Sequence, residues 1–141
     1  MCKVGDIIVV EKYISEDGKE MSKHSFVVID DNPDNIKGLN YSFVSNVMSS
    51  FKNEQHKRKK LRYEENVGVT SEDIESDYIN GKEGYIKADQ LYYFDKNKIE
   101  YYVLASVNPD LLDELIRIIV KLEVENKLKH NIENIKEKQE V

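Results

Sequence analysis

The sequence predicts a mainly β fold that is completed by one α-helix near its C-terminal end, and two patterns support this. Short apolar runs, each followed by residues that are typical of turns, recur from Gly5 to Val107. Helical spacing of apolar residues begins only after Asn108. Many short strands separated by turns favour a small barrel or a tightly curled sheet.

The first half of the chain carries three predicted strands. The run that follows Gly5 in GDIIVVEKYI predicts the first, and HSFVVIDD, which begins at His24, predicts the second. Polar residues at 15–22 and at 30–38 predict the loops that follow these two strands. Apolar and polar residues alternate over 39–51, and this alternation predicts a third strand.

The second half is less regular until its last strand. Residues 61–69 predict a short strand or one arm of a hairpin, whereas the acidic residues 70–84 predict a long exposed loop. Residues 84–99 mix short apolar pieces without a clear period. The segment EYYVLASV at 100–107 is rich in aromatic and β-branched residues and predicts a strand.

A helix start follows at residues 108–110, where NPD combines a capping side chain, a proline suited to the first turn and an acid in that turn. Apolar residues then recur at helical spacing, and a narrower apolar line continues into a charged tail. That tail extends the helix or forms a second helix against a partner. The sequence thus divides into a barrel domain with its closing helix, 1–124, and a charged helical extension, 125–141.

Composition restricts the class of protein. The chain has 141 residues and a net charge of −6, which favours a single soluble domain. No apolar run approaches the length of a transmembrane helix, and the N-terminus does not resemble a secretion signal, so a cytoplasmic location is expected. A single cysteine, Cys2, excludes an internal disulfide framework. The three histidines lack the spacing of metal ligands, so neither a metal nor another cofactor is expected.

The charge is distributed unevenly. The segment from Lys52 to Arg62, KNEQHKRKKLR, holds six of the 21 basic residues and one acid, so it carries +5 and the remaining chain −11. A local basic patch on an acidic protein attracts phosphates at one place while the rest of the surface repels them. We therefore expect this segment to contact a nucleic-acid backbone.

Five segments together resemble the MazF/PemK (Kid-like) family of toxins from type II bacterial toxin–antitoxin systems. KVGDIIVVE is similar to the family's opening strand, GKEMSKHSFVVIDD to its polar loop and second strand, and YSFVSNVMSS to a third strand that ends in hydroxyl residues. GYIKADQLYYFDKNKI and the helical PDLLDELIRIIVKL are similar to the family's later segments. The resemblance covers residues 3–124, while the long acidic loop 64–83 and the tail beyond Val124 depart from it.

The resemblance implies an SH3-like small barrel of the CcdB/MazF kind with a terminal helix, assembled as a symmetric homodimer. It also implies a metal-independent endoribonuclease that cuts single-stranded RNA at short sequences and is neutralised by a cognate antitoxin protein. In that family an arginine at the start of the second strand is assisted by a hydroxyl residue near the end of the third. The arginine position falls here on His24 or Ser25, and the hydroxyl position on Met48 or Ser49, so the arginine is missing.

Metal-free RNA cleavage needs a base for the 2′-hydroxyl, an acid for the departing 5′-oxygen and fixed positive charge near the phosphorane. Histidine suits proton transfer because its ordinary pKa is about 6.5, and lysine or arginine supplies the charge. The candidate catalytic residues are therefore His24, Ser25 and Ser49, and His56 is a second, weaker acid–base candidate. The candidate RNA-binding residues are Lys23, Ser50, Lys52, His56, Lys57, Arg58, Lys59, Lys60 and Arg62.

Each candidate also has a purely structural interpretation. A histidine or serine at the end of a strand is often an ordinary hydrogen-bonded residue, and a basic segment is often a solvated loop. Two functions therefore stay open: an endoribonuclease toxin, or a non-catalytic barrel of the same kind that binds nucleic acid or a protein. The missing arginine is the feature that separates them.

Overall fold

The computed structural model describes residues 2–32, 40–75 and 83–136. Within these ranges the chain is mainly β, with eight strands, two α-helices and two short 3-10 turns. The strands are β1 (Asp6–Ile14), β2 (Glu20–Asp30), β3 (Phe43–Ser50), β4 (Asn66–Val69), β5 (Ile74–Glu75), β6 (Gly84–Phe94), β7 (Tyr101–Val107) and β8 (Lys129–Asn131). The helices are α1 (Glu54–Lys60) and α2 (Pro109–Val124), and the 3-10 turns are Ser71–Asp73 and Glu133–Ile135.

The strands form one sheet in the order β4-β6-β3-β2-β1-β7-β5, and each neighbouring pair along this path is antiparallel. The sheet curls into a half-barrel. Strand β8 lies off this path and pairs in parallel with β6, beyond the residues of β6 that pair with β4. A mainly β fold with a curled sheet, as the sequence predicts, is therefore confirmed at this level.

Both faces of the sheet bury apolar side chains. One of them, the aromatic face, holds the rings of Tyr13, Phe26, Phe43, Tyr92 and Phe94. Several of these rings meet edge to face, as Tyr13 and Phe26 do with centroids 5.0 Å apart. Each such pair contributes about 0.5–1.5 kcal/mol to stability beyond the effect of its buried area. The pairs therefore stabilise the packing on this face of the sheet.

The opposite face, the helix face, is covered by α2. The side chains of Leu111, Leu115, Ile119 and Leu122 are buried there at the helical spacing that the sequence shows. The side chain of Asn108 accepts a hydrogen bond of 2.8 Å from the backbone N–H of Leu111, as expected for a helix cap. The predicted closing helix is therefore confirmed, including its start.

An irregularity between β3 and β6 is held by one buried asparagine. The register shifts after Asn46, which pairs with Leu91, so that β6 carries extra residues opposite β3. The side chain of Asn46 is 0% exposed. Its Nδ2 atom donates hydrogen bonds to three carbonyl oxygens of this bulge, those of Lys87 (3.0 Å), Ala88 (3.3 Å) and Gln90 (3.0 Å). These bonds satisfy buried backbone acceptors and hold the start of β6 beside the end of β3.

Two elements differ from the sequence-based expectation in the middle of the chain. The sequence patterns give no helix in the basic segment, yet residues 54–60 of it form α1. Residues 84–94, which show no clear period, form the single long strand β6. Both of its faces are buried, so its apolar residues do not alternate with polar ones.

The predicted helical extension 125–141 is wrong for its described part. The helix ends at Val124, and Asn126 adopts a left-handed conformation with φ 57°. The backbone N–H of Asn126 bonds to the carbonyl oxygen of Glu123 and that of Lys127 to Leu122, which is the Schellman arrangement that ends helices. The chain then turns back, forms β8 and buries Ile135 against the helix-face core. Residues 137–141 lie outside the described ranges.

Two predicted loops lie partly outside the described residues, namely 33–38 of the first and 76–82 of the second. The described start of the second loop is not irregular, because β5 pairs there with Val107 and Ser106 of β7. Across the three described ranges, no helix is both long enough and apolar enough to span a membrane.

Candidate functional site

A cleft of about 830 Å³ opens between α1 and the strands β1, β2, β3, β6 and β7. Its base is apolar and includes the buried side chains of Ile7, Val9 and Val69. Its rim carries hydroxyl, imidazole and ammonium groups. A cleft with an apolar base and a few converging polar groups is typical of a ligand-binding site.

The cleft brings together eight of the twelve residues that the sequence predicts for the site. The pairing of Phe26 with Val47 sets the start of β2 beside the end of β3, and α1 follows β3 directly. The predicted residues that line the cleft are Lys23, His24, Ser25, Ser49, Ser50, Lys52, His56 and Lys60. The other four, Lys57, Arg58, Lys59 and Arg62, are outside its lining.

His24 lies where the cleft meets the aromatic face. Neighbouring side chains of a strand alternate between faces, so Ser25 lies on the side of its register partner Val9 and His24 on the other side. The ring of His24 meets the ring of Tyr13 edge to face at 5.5 Å. Its Nδ1 atom is 3.0 Å from the carbonyl oxygen of Ser22. Because a carbonyl can only accept, the neutral ring carries its proton on Nδ1, which leaves the lone pair of Nε2 free to act as a base.

His56 has the opposite arrangement. Its Nδ1 atom accepts a hydrogen bond of 3.1 Å from the backbone N–H of Lys52. The neutral ring therefore carries its proton on Nε2 and presents a donor rather than a base. Partial removal from water, followed by the ammonium groups of Lys60, Lys52 and Lys59, lowers the pKa of His56 and so favours this neutral form.

Helix α1 divides the basic segment between two sides. His56 and Lys60, one helical turn apart, line the cleft. Lys57 forms an ion pair with Glu83, and the hydrogen bond to that carboxylate raises the pKa of Lys57. Arg58 lies 3.9 Å from Glu54, a carboxylate one turn earlier on the same helix. The basic segment is therefore a helix with a cleft side and an outer side, rather than a uniform patch.

Several lining residues were not predicted from the sequence. Gly84 is required where β6 approaches β3, because a Cβ atom there would lie 2.5 Å from the carbonyl oxygen of Ser49. A glycine inside a strand is the sequence signal for such an approach. Next to it, the ring of Tyr85 stacks on Phe51 with centroids 5.1 Å apart. Glu83 also lines the cleft, but nothing in its sequence neighbourhood indicates that it pairs with a lysine of α1.

Among the described residues, no three histidine, cysteine, aspartate or glutamate side chains are grouped as metal ligands. Comparison with models of protein families and with curated proteins finds no match for this chain. The chemistry of the cleft therefore has to be inferred from its own side chains.

Proposed function

We propose that the protein is a metal-independent endoribonuclease that binds single-stranded RNA in the cleft. The observation that carries this proposal is the pair of histidines on one cleft, one with a free Nε2 lone pair and one with an Nε2–H donor. Ser25, Ser49 and Lys60 line the same cleft, with Ser25 on the face of the sheet opposite to His24. Together these groups supply the base and the positive charge that RNA cleavage through the 2′-hydroxyl requires, and water supplies the proton for the departing 5′-oxygen.

In the proposed reaction, Nε2 of His24 takes the proton of the 2′-hydroxyl, and the 2′-oxygen attacks the adjacent phosphorus. The bond from phosphorus to the 5′-oxygen breaks, which leaves a 2′,3′-cyclic phosphate and a 5′-hydroxyl whose proton comes from water. The Nε2–H of His56 and the ammonium group of Lys60 stabilise the phosphorane oxygens, and Ser49 donates a further hydrogen bond. His24 thus stands where the look-alike toxin family has its arginine.

The remaining parts of the proposal follow the resemblance to the MazF/PemK family. The curled antiparallel sheet with its C-terminal helix supports an SH3-like barrel of the CcdB/MazF kind. With that class we propose a cytoplasmic toxin that forms a homodimer and is neutralised by an antitoxin protein. Helix α2 supports the closing helix of this class, and we propose that β8 and residues 132–136 are additions to it.

A second candidate function is a non-catalytic barrel that binds nucleic acid or a protein. The observation that favours it is the missing arginine. His24 and Ser25 occupy the positions that align with the family's arginine. The cleft has the lysines Lys23, Lys52 and Lys60 in its lining even without that arginine. The protein can therefore bind nucleic acid without cleaving it.

One assay separates the two candidates. The purified protein is incubated with a long single-stranded RNA in the presence of a chelator, and the cut sites are mapped. We expect cuts at a fixed short sequence that are lost in His24→Ala and kept in His130→Ala, which removes the histidine outside the cleft. Binding without cleavage by the wild-type protein favours the second candidate. Cleavage that survives in His24→Ala refutes the assignment of the base.

A further inference from the structure

A second hollow of about 340 Å³ lies directly beside the cleft. Lys60 and Tyr85 line both cavities, so they form the wall that separates them. A single strand that leaves the cleft past Lys60 therefore meets this hollow next. Of its lining residues the sequence predicts only Lys59 and Lys60 as RNA-binding, because the others come from the turn after α1 and from β6.

The hollow is built by well-defined backbone contacts. After α1, the side chain of Asn66 donates a hydrogen bond of 2.9 Å to the carbonyl oxygen of Lys60, which holds the turn against the helix. The backbone N–H of Ala88 donates a hydrogen bond of 2.7 Å to the carbonyl oxygen of Glu65. This bond ties the turn to the bulge of β6 that Asn46 supports, so the two walls are fixed relative to each other.

Beside the amides of Asn66 and Gln90, side chains of three kinds line the hollow. Glu65 and Asp89 contribute carboxylates, which act only as acceptors when ionised. Lys59, Lys60 and Lys87 contribute ammonium groups, and Lys60 also lines the cleft. Tyr63 contributes an aromatic ring, and this residue is 49% exposed. Partial withdrawal of its carboxyl from water raises the pKa of Asp89.

These three kinds of group match the three parts of a nucleotide. Lysine ammonium groups bind phosphates, and an exposed aromatic ring stacks on a base. Carboxylates accept hydrogen bonds from the exocyclic amino groups of bases, as in the contacts of glutamate and aspartate with N4 of cytosine. Uracil has no amino group, and its one base donor, N3–H, lies between two carbonyl oxygens that a carboxylate repels.

We propose that this hollow binds one base of the single strand that occupies the cleft, and that it favours bases with an exocyclic amino group over uracil. The proposal rests on the proposed function, because it needs a single strand in the cleft. Glu65 and Asp89 select the base, Tyr63 stacks on it, and Lys59 and Lys60 hold the flanking phosphates.

The test compares the affinities of an oligodeoxycytidine and an oligodeoxyuridine of about ten nucleotides, measured by fluorescence anisotropy. Neither oligonucleotide has a 2′-hydroxyl, so neither is cleaved during the measurement. We expect the wild-type protein to bind the cytidine oligomer about fivefold more tightly, in line with one selective base contact. The readout is a ratio of two affinities on one protein sample, so a partly unfolded sample still reports it.

Three variants assign the preference to the hollow. Glu65→Gln combined with Asp89→Asn supplies amide donors that suit uracil, and we expect the cytidine preference to disappear. Tyr63→Ala weakens both oligomers alike and leaves the ratio unchanged. The matched control is Glu64→Gln, which removes a neighbouring carboxylate that pairs with Lys121 outside the hollow and leaves the ratio at its wild-type value.

The outcomes are distinguishable. Equal affinity of the wild-type protein for both oligomers, or a ratio that stays unchanged in the Glu65→Gln, Asp89→Asn variant, refutes the base pocket and leaves the proposed function standing. Failure of both oligomers and of a long RNA to bind refutes the proposed function, and the base pocket with it.

Discussion

The two walls of the cleft are held in different ways. The strand wall consists of residues 23–25 of β2 and 49–50 of β3, and the helix wall consists of residues 52–60. Behind the strand wall lie the buried ladder of the sheet and Phe26, which is 0% exposed. Of the seven residues of α1, all of them described, none is buried. The strand wall is therefore rigid enough to align reacting groups, whereas the helix wall depends on caps and ion pairs that respond to pH and salt.

The strand wall depends most on Asn46, so its loss gives the largest effect. Asn46→Ala leaves one buried and two partly buried carbonyl oxygens of the bulge without their donor, and we expect a loss of about 3 kcal/mol in the free energy of unfolding. Urea unfolding followed by circular dichroism measures it. A loss in the free energy of unfolding below about 0.5 kcal/mol, as for an ordinary surface substitution, would show that the bulge does not need this side chain.

Gly84→Ala tests the close approach of β6 to β3 on the same wall. The added Cβ atom would lie 2.5 Å from the carbonyl oxygen of Ser49, so the backbone must shift, and we expect a loss of about 2 kcal/mol. The matched control is Gly68→Ala in β4, where the nearest atom is the flexible Cδ2 of Leu61 at 3.3 Å. Equal losses in the two variants would contradict the required close approach.

The first turn of the helix wall is capped by Asn53. The Oδ1 atom of Asn53 accepts a hydrogen bond of 2.8 Å from the backbone N–H of His56. Asn53→Ala removes this bond, and we expect a loss of about 1 kcal/mol, well below that of Asn46→Ala. The same urea titration compares the two. A larger loss in the free energy of unfolding for Asn53→Ala than for Asn46→Ala would contradict the view that the strand wall is the more rigid of the two.

The pH response of the helix wall follows from His56. Its pKa in the folded protein is lowered, so the contribution of its hydrogen bond to stability is present above its unfolded value of about 6.5 and is lost as the pH falls through the folded value. A titration by NMR should give a pKa below the ordinary value for His56. Lys60→Met should raise that pKa, because one ammonium group is removed. A pKa at or above 6.5 in the wild-type protein contradicts the lowering by desolvation and by the neighbouring ammonium groups.

The smallest expected effect concerns the ion pair between Lys57 and Glu83. Glu83→Gln frees an ammonium group and removes a carboxylate from the cleft, so we expect RNA affinity to rise about threefold at low salt and the difference to shrink as salt is added. Glu54→Gln, which removes a carboxylate paired with Arg58 on α1, is the control with a smaller effect. Equal gains in the two variants would mean that only net charge matters.

The sequence predicts the strand wall better than the helix wall, for a physical reason. Antiparallel strands joined in order place the start of β2 beside the end of β3, so the proximity of His24 and Ser49 follows from chain order. Helix α1 has no apolar face, so hydrophobic periodicity gives no signal for it. Its one readable signal is Asn53, a capping residue ahead of the basic run.

The parts that sequence reasoning misses depend on contacts between distant residues. The tail turns back at Asn126 because an asparagine accepts the left-handed conformation there, and the apolar residues that suggest a longer helix serve the core instead. Likewise, the pairing of Glu83 with Lys57 joins residues from separate elements. No local pattern encodes this pairing, whereas Asn126 is a local stop signal for a helix.

The central claim is that the cleft cleaves RNA through the 2′-hydroxyl with its own side chains. The most direct test uses an RNA with a single 2′-deoxynucleotide placed immediately 5′ to a mapped cut, incubated with the wild-type protein in the presence of a chelator. We expect cleavage to stop at that position and to continue at unmodified copies of the same sequence, with 2′,3′-cyclic phosphate ends. Cleavage at the deoxy position would contradict the claim.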